Sequence, residues 1–124
     1  MTARLFEITK AAGFDAAHRL PSGGTEGSPY TRLHGHSFRV EATIRGEAAP
    51  PVGWVEDLAA LDQALKAAAA ELDHSLLNDH PGLESPTLET LCVWFADKLS
   101  RRFGGLCRIA VSRPSSGEAC TLNL

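Results

Sequence analysis

Two histidines, His34 and His36, stand one residue apart in the stretch LHGHSF, residues 33–38. In a β-strand, residues i and i+2 point to the same face, so the two imidazoles would converge on one point. Two neighbouring surface or core histidines would give the same pattern. The spacing indicates a metal site only if a third ligand lies close to this pair.

His18 is the candidate for that third ligand. It ends the stretch FDAAH in phase with Phe14 and Ala16, the apolar side of a first strand. A hairpin across the 19–33 loop would place it beside His34 and His36. Burying three neighbouring imidazoles without a shared partner is costly, so the pattern favours a metal ion. Imidazole suits zinc, copper, nickel and iron. Three histidines with one open position favour zinc.

Two further polar clusters follow along the chain. Asp73 and His74 are adjacent in LDHSLLND. They form either a cap at a helix end or an aspartate that orients an imidazole and raises its basicity. Thr87 is placed to cap a second helix, with Glu89 in its first turn. Glu89 is either favoured there by the helix dipole or accepts N–H groups from an amidine-like ring edge.

Periodicity predicts the elements that position these residues. Residues 34–46 alternate strictly between apolar and polar side chains, which is the strongest strand signal in the chain. The pattern predicts strands at 4–18 and 34–46, helices at 56–72 and 88–103, and strands at 106–113 and 118–124. Strands at both ends and helices in the middle predict an α+β fold with an antiparallel sheet. Because two helices cover only one face, apolar residues on the other would favour oligomerisation.

Composition limits the function classes. The 124 residues suit one domain, residues 1–124, and a net charge of −3 gives no basic footprint for nucleic acid. The longest apolar run, Leu91–Ala96, is far shorter than the roughly 18 residues that a membrane span needs. No signal peptide is visible at the start, so we expect a cytoplasmic location. An odd count of three cysteines argues against a disulfide framework.

Five motifs in order, FDAAHRL, LHGHSF, GWVEDLAAL, LDHSLLND and SPTLET, resemble the 6-pyruvoyl-tetrahydropterin synthase family, especially its bacterial 6-carboxytetrahydropterin synthase branch. The resemblance runs from about Leu5 to Phe103. It implies a tunnelling fold, an antiparallel four-stranded sheet with two helices on one face. It also implies homo-oligomeric barrels, commonly a hexamer built as a dimer of trimers, with sites between subunits.

The resemblance also implies roles for the clusters above. His18, His34 and His36 would bind Zn²⁺, Asp73 and His74 would transfer protons, and Thr87 and Glu89 would lie at the pterin pocket. Family members take 7,8-dihydroneopterin triphosphate, whose side-chain oxygens zinc polarises as a Lewis acid. A base removes a proton and triphosphate leaves. In the bacterial branch acetaldehyde is also lost, and the carboxylate product feeds 7-deazapurine and queuosine synthesis.

The chain departs from the family pattern at the residue that would act as the catalytic base. Family members usually carry a cysteine a few residues before the HGH motif, whereas this chain has none before Cys92 and places Tyr30 there. Exchanging a thiol of pKa near 8.5 for a phenol near 10 makes the anion about 2 kcal/mol harder to reach at neutral pH. Tyr30 is therefore a base, a proton donor or only a wall of the pocket.

A second departure falls at the end of the third strand, where the family has a glutamate that anchors the pterin. Here the matching residues are Ser112 and Arg113 or, one place further on, Arg113 and Pro114, and neither pair supplies a carboxylate. Arginine has only donors and cannot replace a carboxylate that faces N–H groups. Glu118 would serve if the chain bulges through SSG; otherwise Arg113 faces an anionic or carbonyl group. Three hypotheses remain: a zinc-dependent pterin lyase, a divergent zinc enzyme with another substrate, and a non-catalytic oligomeric binding module.

Overall fold

The computed structural model describes residues 4–20 and 28–124, apart from the side chain of Tyr30. It confirms the predicted α+β fold, with two helices and a mainly antiparallel sheet. The elements are β1 (Phe6–His18), β2 (His34–Gly46), α1 (Leu58–Leu72), β3 (Ser75–Leu76), α2 (Leu88–Leu99), β4 (Leu106–Arg113) and β5 (Glu118–Asn123). The sheet order is β3-β1-β2-β4-β5.

The sheet has five strands, one more than the sequence pattern predicted. The extra strand is β3, which pairs in parallel with Ala16 and Ala17 of β1. Two residues are too few to show an alternation of apolar and polar side chains, so β3 leaves no periodic signal. It matters because it fixes the segment after Asp73 against the end of β1.

Both helices are shorter than predicted, and local contacts explain where they begin. The side chain of Asp57 accepts a hydrogen bond from the N–H of Ala59 at 2.9 Å, so α1 begins at Leu58. Thr87 caps α2 as predicted, accepting from the N–H of Thr90 at 3.2 Å. After Leu99 the chain continues in turns.

The core lies between the two helices and one face of the sheet. Its residues come from every long element described and include Phe14, Phe38, Val40, Ala42, Ile44, Leu61, Leu65, Leu72, Leu91, Phe95, Ile109 and Val111. The predicted alternation of β2 is confirmed from Phe38 to Ile44, with one exception. Thr43 is also buried, and its hydroxyl bonds to that of Thr9 at 2.8 Å.

The other face of the sheet carries mainly small and polar side chains. Glu7 and Arg108 form an ion pair across it, beside the Thr9–Thr43 hydrogen bond. The expected oligomerisation through apolar residues on this face therefore gains no support from these side chains. Among the described residues, no helix is long and apolar enough to cross a membrane.

Candidate metal centre

The hairpin of β1 and β2 brings the three histidines together, as the sequence predicted. The two strands pair along their whole length, with His18 opposite His34 and Ala16 opposite His36. His18 is fully buried, whereas His34 and His36 are partly exposed. The three rings therefore form a cluster at the end of the hairpin, open on the side of the two later histidines.

The ring nitrogens of this histidine cluster are close to one another. The Nε2 atoms of His18 and His34 are 3.0 Å apart. The ring centre of His36 lies 5.1 Å from that of His18 and 4.7 Å from that of His34. One nitrogen from each ring can be chosen so that all lie within 4.8 Å of one another. Ligand nitrogens in a tetrahedral zinc site are roughly 3.3 Å apart, from Zn–N lengths of about 2.05 Å.

Backbone carbonyls fix the orientation of two rings. Nδ1 of His18 lies 3.1 Å from the carbonyl oxygen of Pro86, and Nδ1 of His34 lies 2.7 Å from that of Arg32. A carbonyl only accepts, so Nδ1 carries the hydrogen in each ring. Both Nε2 atoms are then acceptors, yet they face each other at 3.0 Å. Two acceptors at this distance need a shared positive group, either a proton or a metal ion.

Burial argues against the proton. It is the largest cause lowering the pKa of His18 to about 4, and it also lowers the pKa of His36 below its ordinary value. The buried Nε2 atom of His36 has no hydrogen-bond partner among the residues that the structure describes. Neutral imidazoles with converging acceptor nitrogens are what a metal ion requires, so the donor set fits zinc.

Asp73 and His74 form a second site beside the first. Nδ1 of His74 lies 2.8 Å from one carboxylate oxygen of Asp73, and the other oxygen accepts the N–H of Asp15 at 2.8 Å. The backbone of His74 has a φ of 56°, a left-handed conformation that costs energy in a residue with a side chain. The hydrogen bond to Asp73 raises the pKa of His74, and the N–H of Asp15 helps to lower that of Asp73.

His74 and His36 line the same cleft. This cleft has a volume of about 680 Å³, and Asp15, Ser75 and Ser115 also line it. The side chain of His74 is 81% exposed, so its ring is accessible from the cleft. The structure therefore brings His36 of the cluster and His74 to a common opening, large enough for a small molecule.

The predicted pocket residues Thr87 and Glu89 lie at the start of α2. Thr87 is half-buried and occupied by its capping bond, whereas Glu89 is exposed in the first turn of the helix. The residue before Thr87 is Pro86, whose carbonyl holds His18. The start of α2 is thus joined to the histidine cluster through the backbone.

At the end of β4, Arg113 and Glu118 face each other across the turn to β5. A short 3₁₀ turn and Gly117, with a φ of 65°, place them as cross-strand neighbours. One guanidinium nitrogen of Arg113 lies 3.5 Å from a carboxylate oxygen of Glu118, and Arg113 is 7% exposed. Ser112 points to the opposite face of β4. The turn therefore places Glu118 beside Arg113, and both charges act on the pKa of His36.

Sequence reasoning missed the carbonyl groups of Arg32 and Pro86, which orient the cluster. Every residue has a carbonyl, so no residue type marks one that will bind a ring nitrogen. The side chain of Tyr30 lies outside the part of the chain that the structure describes, although its backbone belongs to the 3₁₀ turn Pro29–Thr31. Its role as a base, a proton donor or a wall of the pocket stays a prediction.

The sequence model of 6-pyruvoyl tetrahydropterin synthase matches residues 7–123. The chain belongs to this family. The match covers both helices and all five strands except the first residue of β1, and with them every residue of the cluster and the cleft. The family resemblance inferred from the five motifs is thereby confirmed.

Relatives in the 6-pyruvoyl tetrahydropterin synthase family carry several names. A 6-carboxy-5,6,7,8-tetrahydropterin synthase of Synechocystis sp. is 40% identical over 97 residues, 74% of this chain and 73% of the relative. A dihydroneopterin monophosphate aldolase of Pyrococcus furiosus is 31% identical over 98 residues, 79% of this chain and 78% of the relative. Tetrahydropterin synthases are lyases, so the chain belongs to a family of enzymes.

A solved structure shows the same fold. The 6-pyruvoyl tetrahydropterin synthase of Caenorhabditis elegans superposes with a TM-score of 0.85 over 100% of this chain and 99% of that chain. Sequence identity is 23%, so this likeness concerns the fold alone. It confirms the predicted tunnelling-type architecture of the subunit.

Proposed function

We propose that this protein is a zinc-dependent pterin lyase that acts on 7,8-dihydroneopterin triphosphate or a related dihydroneopterin phosphate. The observation that carries the proposal is the pair of acceptor nitrogens of His18 and His34, 3.0 Å apart in a partly buried site. Relatives named for a 6-carboxytetrahydropterin product and for dihydroneopterin monophosphate support the substrate class. Bound zinc would supply Lewis-acid polarisation of a substrate oxygen.

In this proposal, proton transfer belongs to the Asp73–His74 pair. Asp73 fixes Nδ1 of His74 and stabilises its charged form, which raises the pKa of His74 above its ordinary value and suits it to donate a proton. Nε2 remains available to a substrate in the cleft. Tyr30 is a second candidate, because it stands where the family's cysteine would be.

Substrate binding is proposed for Thr87, Glu89, Ser112 and Arg113. The pairing of Arg113 with Glu118 favours a substrate that differs from the one used by other members of the family. A lone carboxylate accepts N–H groups, whereas this pair offers donors and acceptors side by side. The second candidate function follows from this observation: a divergent zinc enzyme whose substrate carries an anionic or carbonyl group toward Arg113.

We propose further that residues 1–124 form one domain of a homo-oligomeric barrel, a hexamer built as a dimer of trimers, in the cytoplasm. The family resemblance supports this assembly, and product use in 7-deazapurine or queuosine synthesis follows from the bacterial branch. Size-exclusion chromatography with light scattering measures the assembly directly.

Two measurements test the proposed activity. First, purified protein is analysed for metals, and we expect about one zinc per chain. Second, zinc-loaded protein is mixed separately with 7,8-dihydroneopterin triphosphate and with the monophosphate, and released phosphate and aldehyde are measured. We expect turnover of at least one of them. The double variant His18→Ala, His34→Ala is the control without a site.

The outcomes separate the hypotheses. Zinc without turnover of either compound contradicts the pterin lyase. If Tyr30→Cys combined with Arg113→Glu or Ser112→Glu then turns over the triphosphate, the divergent enzyme is supported. Zinc without turnover in any of these variants supports a binding module instead.

A further inference from the structure

One side chain, that of Asn78, connects the chain segments that hold His18. Its Oδ1 accepts a hydrogen bond from the N–H of Arg19 at 2.9 Å. Its Nδ2 donates to the carbonyl oxygens of Arg19 at 2.7 Å and of Glu84 at 3.3 Å. These partners use both donors and the acceptor of the amide, so its orientation is fixed.

The two bonds to Arg19 continue the pairing that β3 begins. β3 pairs with Ala16 and Ala17 and ends at Leu76. Beyond that point, the amide of Asn78 bonds both backbone groups of Arg19, the residue after His18. The backbone of His18 is therefore held on both sides, by the strand pair before it and by Asn78 after it.

The bond to Glu84 acts on the other side of the His18 ring. Glu84 is two residues before Pro86, whose carbonyl oxygen lies 3.1 Å from Nδ1 of His18. The carbonyl that orients the ring is thus tied to the same amide as the backbone that carries the ring. Loss of this amide would remove one support from each of them.

We propose that Asn78 is a positioning residue for the metal ligand His18. The inference rests on the proposed metal site and adds to it the residue that sets the direction of its buried ligand. Groups that hydrogen-bond a metal-binding histidine directly typically change metal affinity 10–100-fold when they are removed, and Asn78 acts one step behind such a group, the carbonyl of Pro86. A residue that served only the stability of the fold would leave the affinity of the folded protein unchanged.

The test compares zinc affinity among variants, measured by competition with a chromophoric chelator. Asn78→Ala removes all three bonds, whereas Asn78→Asp keeps the shape and the acceptor for Arg19 but loses both donated bonds. The matched control is Asn123→Ala, because Asn123 is an exposed asparagine on β5. We expect about 10-fold weaker binding in both Asn78 variants, the low end of the range for direct partners because Asn78 does not touch the ring, and wild-type affinity in the control. The absorption bands of bound Co²⁺ should change in the Asn78 variants only.

The experiment distinguishes failure of the proposed role of Asn78 from failure of the proposed metal site. Wild-type affinity in both Asn78 variants, even with a lowered melting temperature, overturns the positioning role and leaves the metal site intact. A wild-type protein that binds no zinc overturns the metal site itself and the role of Asn78 with it. If Asn78→Ala does not fold, Asn78→Asp decides by the same two criteria.

Discussion

Two histidines of this protein, His18 and His74, lie in opposite environments. His18 is buried and its pKa is lowered to about 4, with burial as the main cause. His74 has an 81% exposed side chain, and the carboxylate of Asp73 raises its pKa. A histidine that binds a metal must be neutral, whereas a histidine that carries a proton must be stable in its charged form. Burial favours the neutral form of His18, and the carboxylate of Asp73 favours the charged form of His74.

The backbone conformations of His18 and His74 also differ. His18 ends a long strand and is held by the carbonyl of Pro86, within regular pairing to β2. His74 is held in a left-handed conformation between α1 and β3. Strain of this kind persists where the surrounding bonds enforce it and is common at functional sites. The N–H of His74 bonds the carbonyl of Asp15 at 2.6 Å, which is one such bond.

The largest expected effect is on zinc affinity, which should differ between variants of His18 and of His74. His18→Ala removes one of three ligands, and we expect zinc affinity to fall by more than about 100-fold, beyond the range for outer partners. His74→Ala should keep the wild-type affinity because His74 is not part of the cluster. Isothermal titration with zinc measures both. Equal affinities in the two variants would contradict the assignment.

The next effect concerns stability. Zinc at 100 times its dissociation constant should raise the free energy of unfolding by about 2.7 kcal/mol, because the folded state alone holds the site. Urea unfolding with and without zinc measures this for wild type, His18→Ala and His74→Ala. The gain should disappear only in His18→Ala. A gain of the same size in His18→Ala would mean that zinc binds elsewhere.

A smaller loss is expected at the helix that begins next to the His18 contact. Thr87→Ala removes the cap of α2 and should lower the free energy of unfolding by about 1 kcal/mol. Thr87→Ser keeps a hydroxyl oxygen and is the control. Thermal or urea unfolding of the zinc-free proteins gives the values. A Ser variant as unstable as the Ala variant would show that the cap is not the cause.

The smallest effect concerns the His74 proton. Asp73→Asn removes the charge that favours the imidazolium form, so the pKa of His74 should fall back toward its ordinary value. A nuclear magnetic resonance titration of the His74 ring measures it. Glu71→Gln, which removes an exposed carboxylate paired with Lys98, is the control and should leave that pKa unchanged. An unaltered pKa in Asp73→Asn would contradict the proposed pairing.

Much of the fold followed from the sequence, because long elements repeat their signal. β2 spans 13 residues, and its alternation indicated both the strand and the direction of His34 and His36. β3 was missed because two residues cannot show a period. The end of α2 was placed too late because Phe103 continues the apolar stripe, although it packs in the core from a turn.

The parts of the site that are formed by side chains could be predicted from the sequence, whereas those formed by the backbone could not. Three histidines in phase on two strands marked the cluster, since few other patterns place three imidazoles together. The carbonyls of Pro86 and Arg32 could not be predicted, because they depend on where distant segments cross. The pairing of Glu118 with Arg113 depended on the conformation of the turn between β4 and β5.

The central claim is that nitrogen atoms of His18, His34 and His36 hold a zinc ion. X-ray absorption at the zinc edge of the zinc-loaded protein tests it most directly. We expect a first shell of three imidazole nitrogens at about 2.0–2.1 Å and a fourth oxygen or nitrogen ligand, with no sulfur. Sulfur scattering at about 2.3 Å, which would indicate cysteine ligands, would contradict it.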